Sequence, residues 1–238
     1  MTTATDLTAR PVIEYPESDG LPMSDNTLQF RWISTIMWGL DIAFSHNRHV
    51  FVAGNLLWYP VQGEPTIRIG PDVLVALGRP RGERGSYKQW EEGNVAPQVI
   101  IEVLSPGNRP AAMNEKFAFY ERFGVEEYYV YDPDDGSLQG WLRAGGHLEE
   151  VPNMSGFVSP RLQVRFEPGP GADNLKIFGP DGAPFLTVRE WAARSEQDRQ
   201  RADEQASLAH EQTRIAQTER ERADRLAARL RELGIDLE

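Results

Sequence analysis

Gln98-Val-Ile-Ile-Glu-Val-Leu104 is the stretch whose reading decides the fold. It is apolar on both alternating faces, as a strand covered on both sides of a sheet must be, apart from one carboxylate at Glu102. Burying an unpaired carboxylate costs several kcal/mol, so Glu102 must be paired, protonated or bound to a cation. A structural ion pair would meet that need as well as a functional site. Downstream, 111–123 reads as a helix ended by Gly124, a residue suited to the left-handed conformation that closes helices. Glu127-Tyr-Tyr-Val-Tyr-Asp132 then reads as another strand. Strand, helix and strand in that order predict a crossover between strands of one sheet.

Working upstream, Val50-Phe-Val-Ala53, Asn55-Leu-Leu-Trp-Tyr59 and Asp72-Val-Leu-Val-Ala-Leu77 read as strands bounded by Gly or Pro. Before them Ser24 is the expected cap of a helix whose apolar stripe runs through Ile33, Ile36 and Leu40. Continued backwards, that stripe reaches the amides Gln29 and Asn26. After Asp132 the chain meanders through Leu138–Arg143, turns at Gly145-Gly146 and returns through His147–Val151. The order predicts a mixed α/β fold, a central mixed β-sheet flanked by helices.

Composition limits the chemistry. The chain has 238 residues and a formal charge of −11, from 25 Lys+Arg against 36 Asp+Glu. A hydrophobic share of 40% and an aromatic share of 10% are enough for a packed core. The absence of cysteine removes disulfides, thiolate zinc sites, iron–sulfur clusters and Cys nucleophiles, so any metal must use oxygen or His. The acidic balance opposes non-specific binding of nucleic acid by the whole surface, though not by a local basic patch. No apolar run approaches the ~18 residues of a membrane span, and residues 1–10 lack the apolar middle of a signal peptide. The expected protein is cytoplasmic, with no membrane partner.

The expected domains are a flexible N-terminus over 1–14, a globular domain over 15–186 and a helical tail over 187–238. In the tail, 188–233 is free of Gly and Pro and rich in helix formers. Ala202, Ala209, Ala216, Ala223 and Leu230 recur every seven residues, with Leu226 and Leu233 three residues after the last two. That seam predicts a coiled coil and a homodimer; a solvated charged helix with accidental alanine spacing is the alternative.

Three residues carry the candidate chemistry. Asp72 opens its strand directly after Pro71, and a carboxylate there, with Glu102 on a neighbouring strand, would form a pair of hard oxygen ligands suited to Mg2+ or Mn2+. Lys116 falls near the middle of a helical face formed by Ala112, Met113, Phe117, Phe119, Tyr120 and Phe123. Lysine otherwise occurs only at Lys88 and Lys176. An ammonium on an apolar face needs an anionic partner, unless it snorkels to solvent. A fourth feature is the Gly-rich loop with Arg79, Arg81, Arg84 and Lys88, where Tyr87 and Trp90 are available for stacking. It could grip a phosphate backbone, or pair with Glu83, Glu91 and Glu92.

Pro71-Asp72, Glu102 within a strand and a lysine facing the same site resemble the PD-(D/E)xK restriction-endonuclease-like superfamily. The wider string is similar to its Uma2 branch: Gly20-Leu-Pro-Met23, Gly85-Ser-Tyr-Lys-Gln-Trp-Glu-Glu92, Glu102-Val-Leu-Ser-Pro106 and Gly124-Val-Glu-Glu-Tyr-Tyr-Val-Tyr-Asp-Pro133. The resemblance covers about residues 15–170. It implies a restriction-endonuclease-like sheet, Asp72, Glu102 and the Val103 carbonyl as metal ligands, and Lys116 beside the scissile phosphate. The superfamily pattern has lysine two residues after the acid, where this chain has Leu104; in the branch the following helix supplies it, where Lys116 stands. Gln29 occupies a helix position where the branch often has His, and joins the candidate catalytic residues. The implied function is hydrolysis of DNA by a Mg2+- or Mn2+-dependent endonuclease. The alternative is a catalytically weak nuclease-fold protein that binds nucleic acid or a protein partner, organised by its C-terminal helix.

Overall fold

The structure is a computed structural model that describes residues 13–18, 20, 24–108 and 110–232. Most of the expected flexible N-terminus, Leu21-Pro-Met23 of the resemblance and Leu233 of the heptad seam lie outside the described residues. In chain order the elements are α1 (Thr27–Ala43), β1 (Val50–Gly54), β2 (Trp58–Tyr59), β3 (Val73–Leu77), β4 (Tyr87–Lys88), β5 (Val99–Val103) and α2 (Pro110–Arg122). There follow β6 (Glu127–Tyr131), β7 (Leu138–Ala144), β8 (His147–Glu150), β9 (Phe157–Val158), β10 (Arg165–Glu167), β11 (Lys176–Phe178) and α3 (Val188–Glu232).

A six-stranded mixed sheet of order β1-β3-β5-β6-β7-β8 forms the centre. β5 and β6 are parallel and α2 connects them, as the strand–helix–strand pattern predicts; the other neighbours are antiparallel. All five residues of β5 are buried because helices cover both faces. On one face Val73, Val75, Ile101 and Val103 pack with Trp32, Ile33, Ile36 and Leu40 of α1 and with Phe166 and Ile177 of the small β11-β10-β9 sheet. On the other, Leu74, Ile100 and Tyr128 pack with Met113, Phe117 and Tyr120 of α2.

Local chemistry explains where the elements end. Gly124 closes α2 at φ +91°, and the Val125 N–H donates back to the Tyr120 carbonyl at 3.1 Å, the six-to-one bond of a Schellman end. The cap of α1 is Asn26 instead of Ser24: its Oδ1 accepts from the Gln29 N–H at 2.8 Å, which starts the helix at Thr27. The expected strand over 55–59 shrinks to Trp58–Tyr59. Asn55 adopts a left-handed φ of 50° and donates its N–H to the Asp72 carbonyl at 3.1 Å, turning the chain out of β1.

β6 carries a further buried carboxylate, in addition to those of Asp72 and Glu102. Glu127 is 1% exposed and accepts from the Tyr129 hydroxyl at 2.9 Å, the Arg161 N–H at 2.6 Å and the Ser159 hydroxyl. Burial raises its pKa, and these donors oppose the rise. The residue fastens the 159–162 turn to the sheet.

The described chain divides into two compact units, one ending at Thr187 and one beginning at Val188. Within the second, α3 runs for 45 residues with none of them buried. Its sides carry spaced ion pairs such as Arg214–Glu211 at 2.7 Å. No described helix is long and apolar enough to cross a membrane.

Removing the Glu127 carboxylate strands three donors in the interior. Glu127→Ala should lower unfolding stability by roughly 3 kcal/mol, and Glu127→Gln by less because one acceptor oxygen remains. Urea denaturation of the two variants checks the order.

Candidate active site

β3 and β5 pair with Val73 opposite Ile101 and Leu74 opposite Ile100. One step further in that register sets Asp72 opposite Glu102, on the face of Leu74, Ile100 and α2. Both carboxylates are buried, at 8% and 2% exposure. Asp72 Oδ2 accepts from the Val103 N–H at 2.7 Å. Glu102 Oε2 accepts from Lys116 Nζ at 2.7 Å, and Oε1 from the Tyr120 hydroxyl at 2.5 Å. Lys116 and Tyr120 stand one turn apart on α2, so a single helix face serves both oxygens. The Lys116 side chain is 25% exposed and links the buried acid to solvent.

Electrostatics follow from burial. Asp72 is raised well above the usual carboxylate range, first by desolvation and then by the Glu102 charge; Lys116 and the Val103 N–H oppose this only in part. The Tyr120 phenol is also pushed well up by burial and by Glu102, which keeps it a neutral donor.

Gln29 approaches from the opposite face. It is buried, its Nε2 donates to the Val103 carbonyl at 2.8 Å and its Oε1 accepts from the Asp25 N–H at 2.7 Å. The Val103 residue is therefore held at both polar groups, by Asp72 at N–H and by Gln29 at the carbonyl. That carbonyl keeps a second lone pair. Among the described residues no group of three or more His, Asp or Glu is placed to hold a metal. The donor set here is two carboxylates and one backbone carbonyl.

Asp72, Glu102, Val103, Lys116 and Gln29 are thus brought together from four segments. Tyr120 joins them as a donor, whereas its sequence position shows only an apolar helix face; its i+4 spacing from Lys116 is the signal that points to it. The arginine loop does not join them. Arg79 Nη1 donates to the Glu92 carbonyl at 2.8 Å. Arg81 pairs with Asp41 and donates to the Asp41 and Phe44 carbonyls at 3.3 and 3.1 Å, at the C-terminal end of α1. Arg84 binds Glu92 at 2.5 and 3.2 Å, with its guanidinium 3.9 Å above the Phe51 ring, and Lys88 lies 3.5 Å from Glu91. Of the two readings of this loop, its geometry is that of internal pairing. Tyr87 is fully buried and donates to the Val95 carbonyl at 2.8 Å, so it offers no stacking surface.

The sequence profile of the Uma2 family, described as "Putative restriction endonuclease", matches residues 24–171. That span contains all five candidate residues. Among solved structures, the crystal structure of "a putative nuclease belonging to DUF820" from Anabaena variabilis resembles the chain with a TM-score of 0.44 and 16% identity. The match covers 57% of this chain and 72% of that one. No curated protein matches.

The raised pKa of Asp72 has a direct consequence for stability. As pH rises, the unfolded chain loses this proton first, so stability falls between the ordinary and the raised value and stays lower above it. Asp72→Asn removes that loss and keeps an acceptor for the Val103 N–H. In metal-free buffer the variant should exceed the wild type near neutral pH by on the order of 1 kcal/mol, with the gap closing towards acid. Urea denaturation across that range tests this, and a variant weaker at every pH would contradict it.

Proposed function

Since the chain belongs to the Uma2 family of restriction-endonuclease-like proteins, we propose that it is a divalent-cation-dependent endonuclease that hydrolyses phosphodiester bonds of DNA. The observation that carries this reading is a pair of buried carboxylates set opposite one another, with an ammonium on one of them that also reaches solvent. Hard oxygens of this kind suit Mg2+ or Mn2+, and Asp72, Glu102 and the Val103 carbonyl would hold the ion. When bound, such an ion activates a water and draws off charge from the phosphoryl oxygens.

The chain's own residues prepare the site. Tyr120 fixes the rotamer of Glu102, while Asp72 and Gln29 hold Val103 from its two ends, so the donors are oriented in advance. Gln29 is accordingly a positioning residue. Lys116 can turn its ammonium from Glu102 towards a phosphate without moving α2, because its stem is long and its end meets solvent. The arginine loop enters as a brace of the fold.

One observation favours the second reading, a catalytically weak module that binds nucleic acid or protein. Both Glu102 oxygens and the Val103 carbonyl already accept from internal donors. A cation must compete with them, and metal affinity separates the two readings. Titration calorimetry should show Mn2+ binding to the full chain that weakens at least about tenfold in Glu102→Ala. Equal binding by that variant refutes the site. Lys116→Met keeps most of the stem; it should fold and bind Mn2+ while plasmid cleavage drops by about 100-fold or more.

We assign α3 to self-association through Ala202, Ala209, Ala216, Ala223 and Leu230, with Leu226 adding bulk near the C-terminal end. A second copy is the simplest partner for a seam of small residues, and two copies would supply two sites for the two strands of a duplex. Sedimentation equilibrium should give a dimer for the full chain and a monomer for 1–187. A monomer in both, or a dimer in both, removes the tail from this role.

A further inference from the structure

Three buried side-chain atoms accept or donate no hydrogen bond among the described residues: Arg79 Nε and the hydroxyls of Tyr128 and Tyr131. Arg79 still anchors through Nη1 on the Glu92 carbonyl, and Tyr131 lies beside the backbone amides of Leu175 and Asn174. Tyr128 is different: burial first, and then the charges of Glu102 and Asp72, push its phenol up, and it lies on the sheet face that carries this acidic pair.

Its place in the sheet explains this. Tyr128 stands beside Ile100 in the parallel β5–β6 register, and Val130 beside Glu102, so Tyr128 shares the Glu102 face. Its ring stacks on Trp141 at 5.3 Å and tilts against Tyr120 at 5.1 Å, the tyrosine whose hydroxyl holds Glu102. Phe117 closes the pocket edge-on at 6.1 Å. At 1% exposure, the side chain has no route to bulk water. Phenylalanine would fill this aromatic pocket equally well and avoid an unsatisfied hydroxyl, which costs about 1–3 kcal/mol. A hydroxyl kept dry beside an acidic pair calls for an acceptor that the metal-free arrangement does not present.

We propose that Tyr128 is a positioning residue of the Asp72–Glu102 site, its phenol donating to the carboxylate pair when a divalent cation draws those oxygens into its coordination shell. This rests on the metal-dependent reading of the same site. A cation held by Glu102 would compete with Lys116 and Tyr120 for its oxygens, and Tyr128, on the same face of the sheet, is a further donor with no partner of its own among the described residues. Tyr128 would hold the carboxylate, as outer donors commonly orient metal-bound carboxylates.

The test compares full-length wild type, Tyr128→Phe and Trp141→Phe by Mn2+ titration and by urea denaturation in metal-free buffer. Tyr128→Phe should match or exceed wild-type stability yet bind Mn2+ about tenfold more weakly. Trp141→Phe alters the support of the ring and keeps the hydroxyl, so its Mn2+ affinity should equal that of the wild type. Unchanged affinity in Tyr128→Phe, or a loss of stability that accounts for weaker binding, overturns the assignment. A folded wild type that binds no Mn2+ overturns the metal reading itself, a result visible before any variant is compared.

Discussion

Two carboxylates buried opposite one another on adjoining strands repel, and neither has water to screen it, so the surrounding structure must supply positive charge and hydrogen-bond donors to the pair. Asp72 and Glu102 are in that position, and each element around them answers it. α2 brings Lys116 and Tyr120 to the two oxygens of Glu102, and β5 offers the Val103 N–H to Asp72. The compensation is incomplete, as the raised pKa of Asp72 records. A cation of higher charge would complete it, so the cost of burial and the proposed metal binding would be two consequences of one arrangement.

The topology is what makes this arrangement reachable. A parallel β5–β6 pair requires a crossover, and the crossover helix necessarily lies across the strands it joins. Residues about two and three turns into α2, Lys116 and Tyr120, therefore look down on β5, the central strand that carries Glu102. α1 covers the other face and reaches the site through the backbone, with the Gln29 amide on the Val103 carbonyl. The alternation of a strand sends Glu102 to one helix and its neighbour to the other, so one dipeptide connects both layers. Aromatic packing of Tyr120, Tyr128 and Trp141 then keeps the acidic face dry, which strengthens every charge–charge interaction within it.

Much of this was legible from residue types alone, for identifiable reasons. A carboxylate inside an apolar strand and an ammonium inside an apolar helix face each violate the pattern around them. Such violations mark positions where tertiary partners must exist. The Asp72–Glu102 pairing and the Gly124 helix end were readable for similar reasons. The arginine loop was not resolved, because the choice between phosphate and Asp41 or Glu92 depends on where α1 ends relative to β3, a tertiary fact. The β11-β10-β9 sheet was missed because strands of two or three residues carry no measurable period. The burial of Glu127 has no local signal, because its donors Ser159 and Arg161 lie more than thirty residues away.

The internal pairing of the arginines changes how a polyanion would meet this protein. The chain carries a formal charge of −11, and Arg81, Arg84 and Lys88 of the loop pair with Asp41, Glu92 and Glu91. The long-range field therefore opposes an approaching nucleic acid instead of steering it. On the proposed endonuclease reading, attraction would have to be generated at short range, within about one Debye length of ~8 Å at physiological salt. Lys116, the partly exposed cation on the buried pair, meets that requirement only weakly while Glu102 neutralises it. On the proposed metal-dependent reading, a divalent ion held by the carboxylates would reverse the local sign, cancelling the acidic pair and loosening the hold of Glu102 on the ammonium. If the chain is the endonuclease proposed above, occupancy by the cation would therefore govern DNA affinity as well as the chemical step.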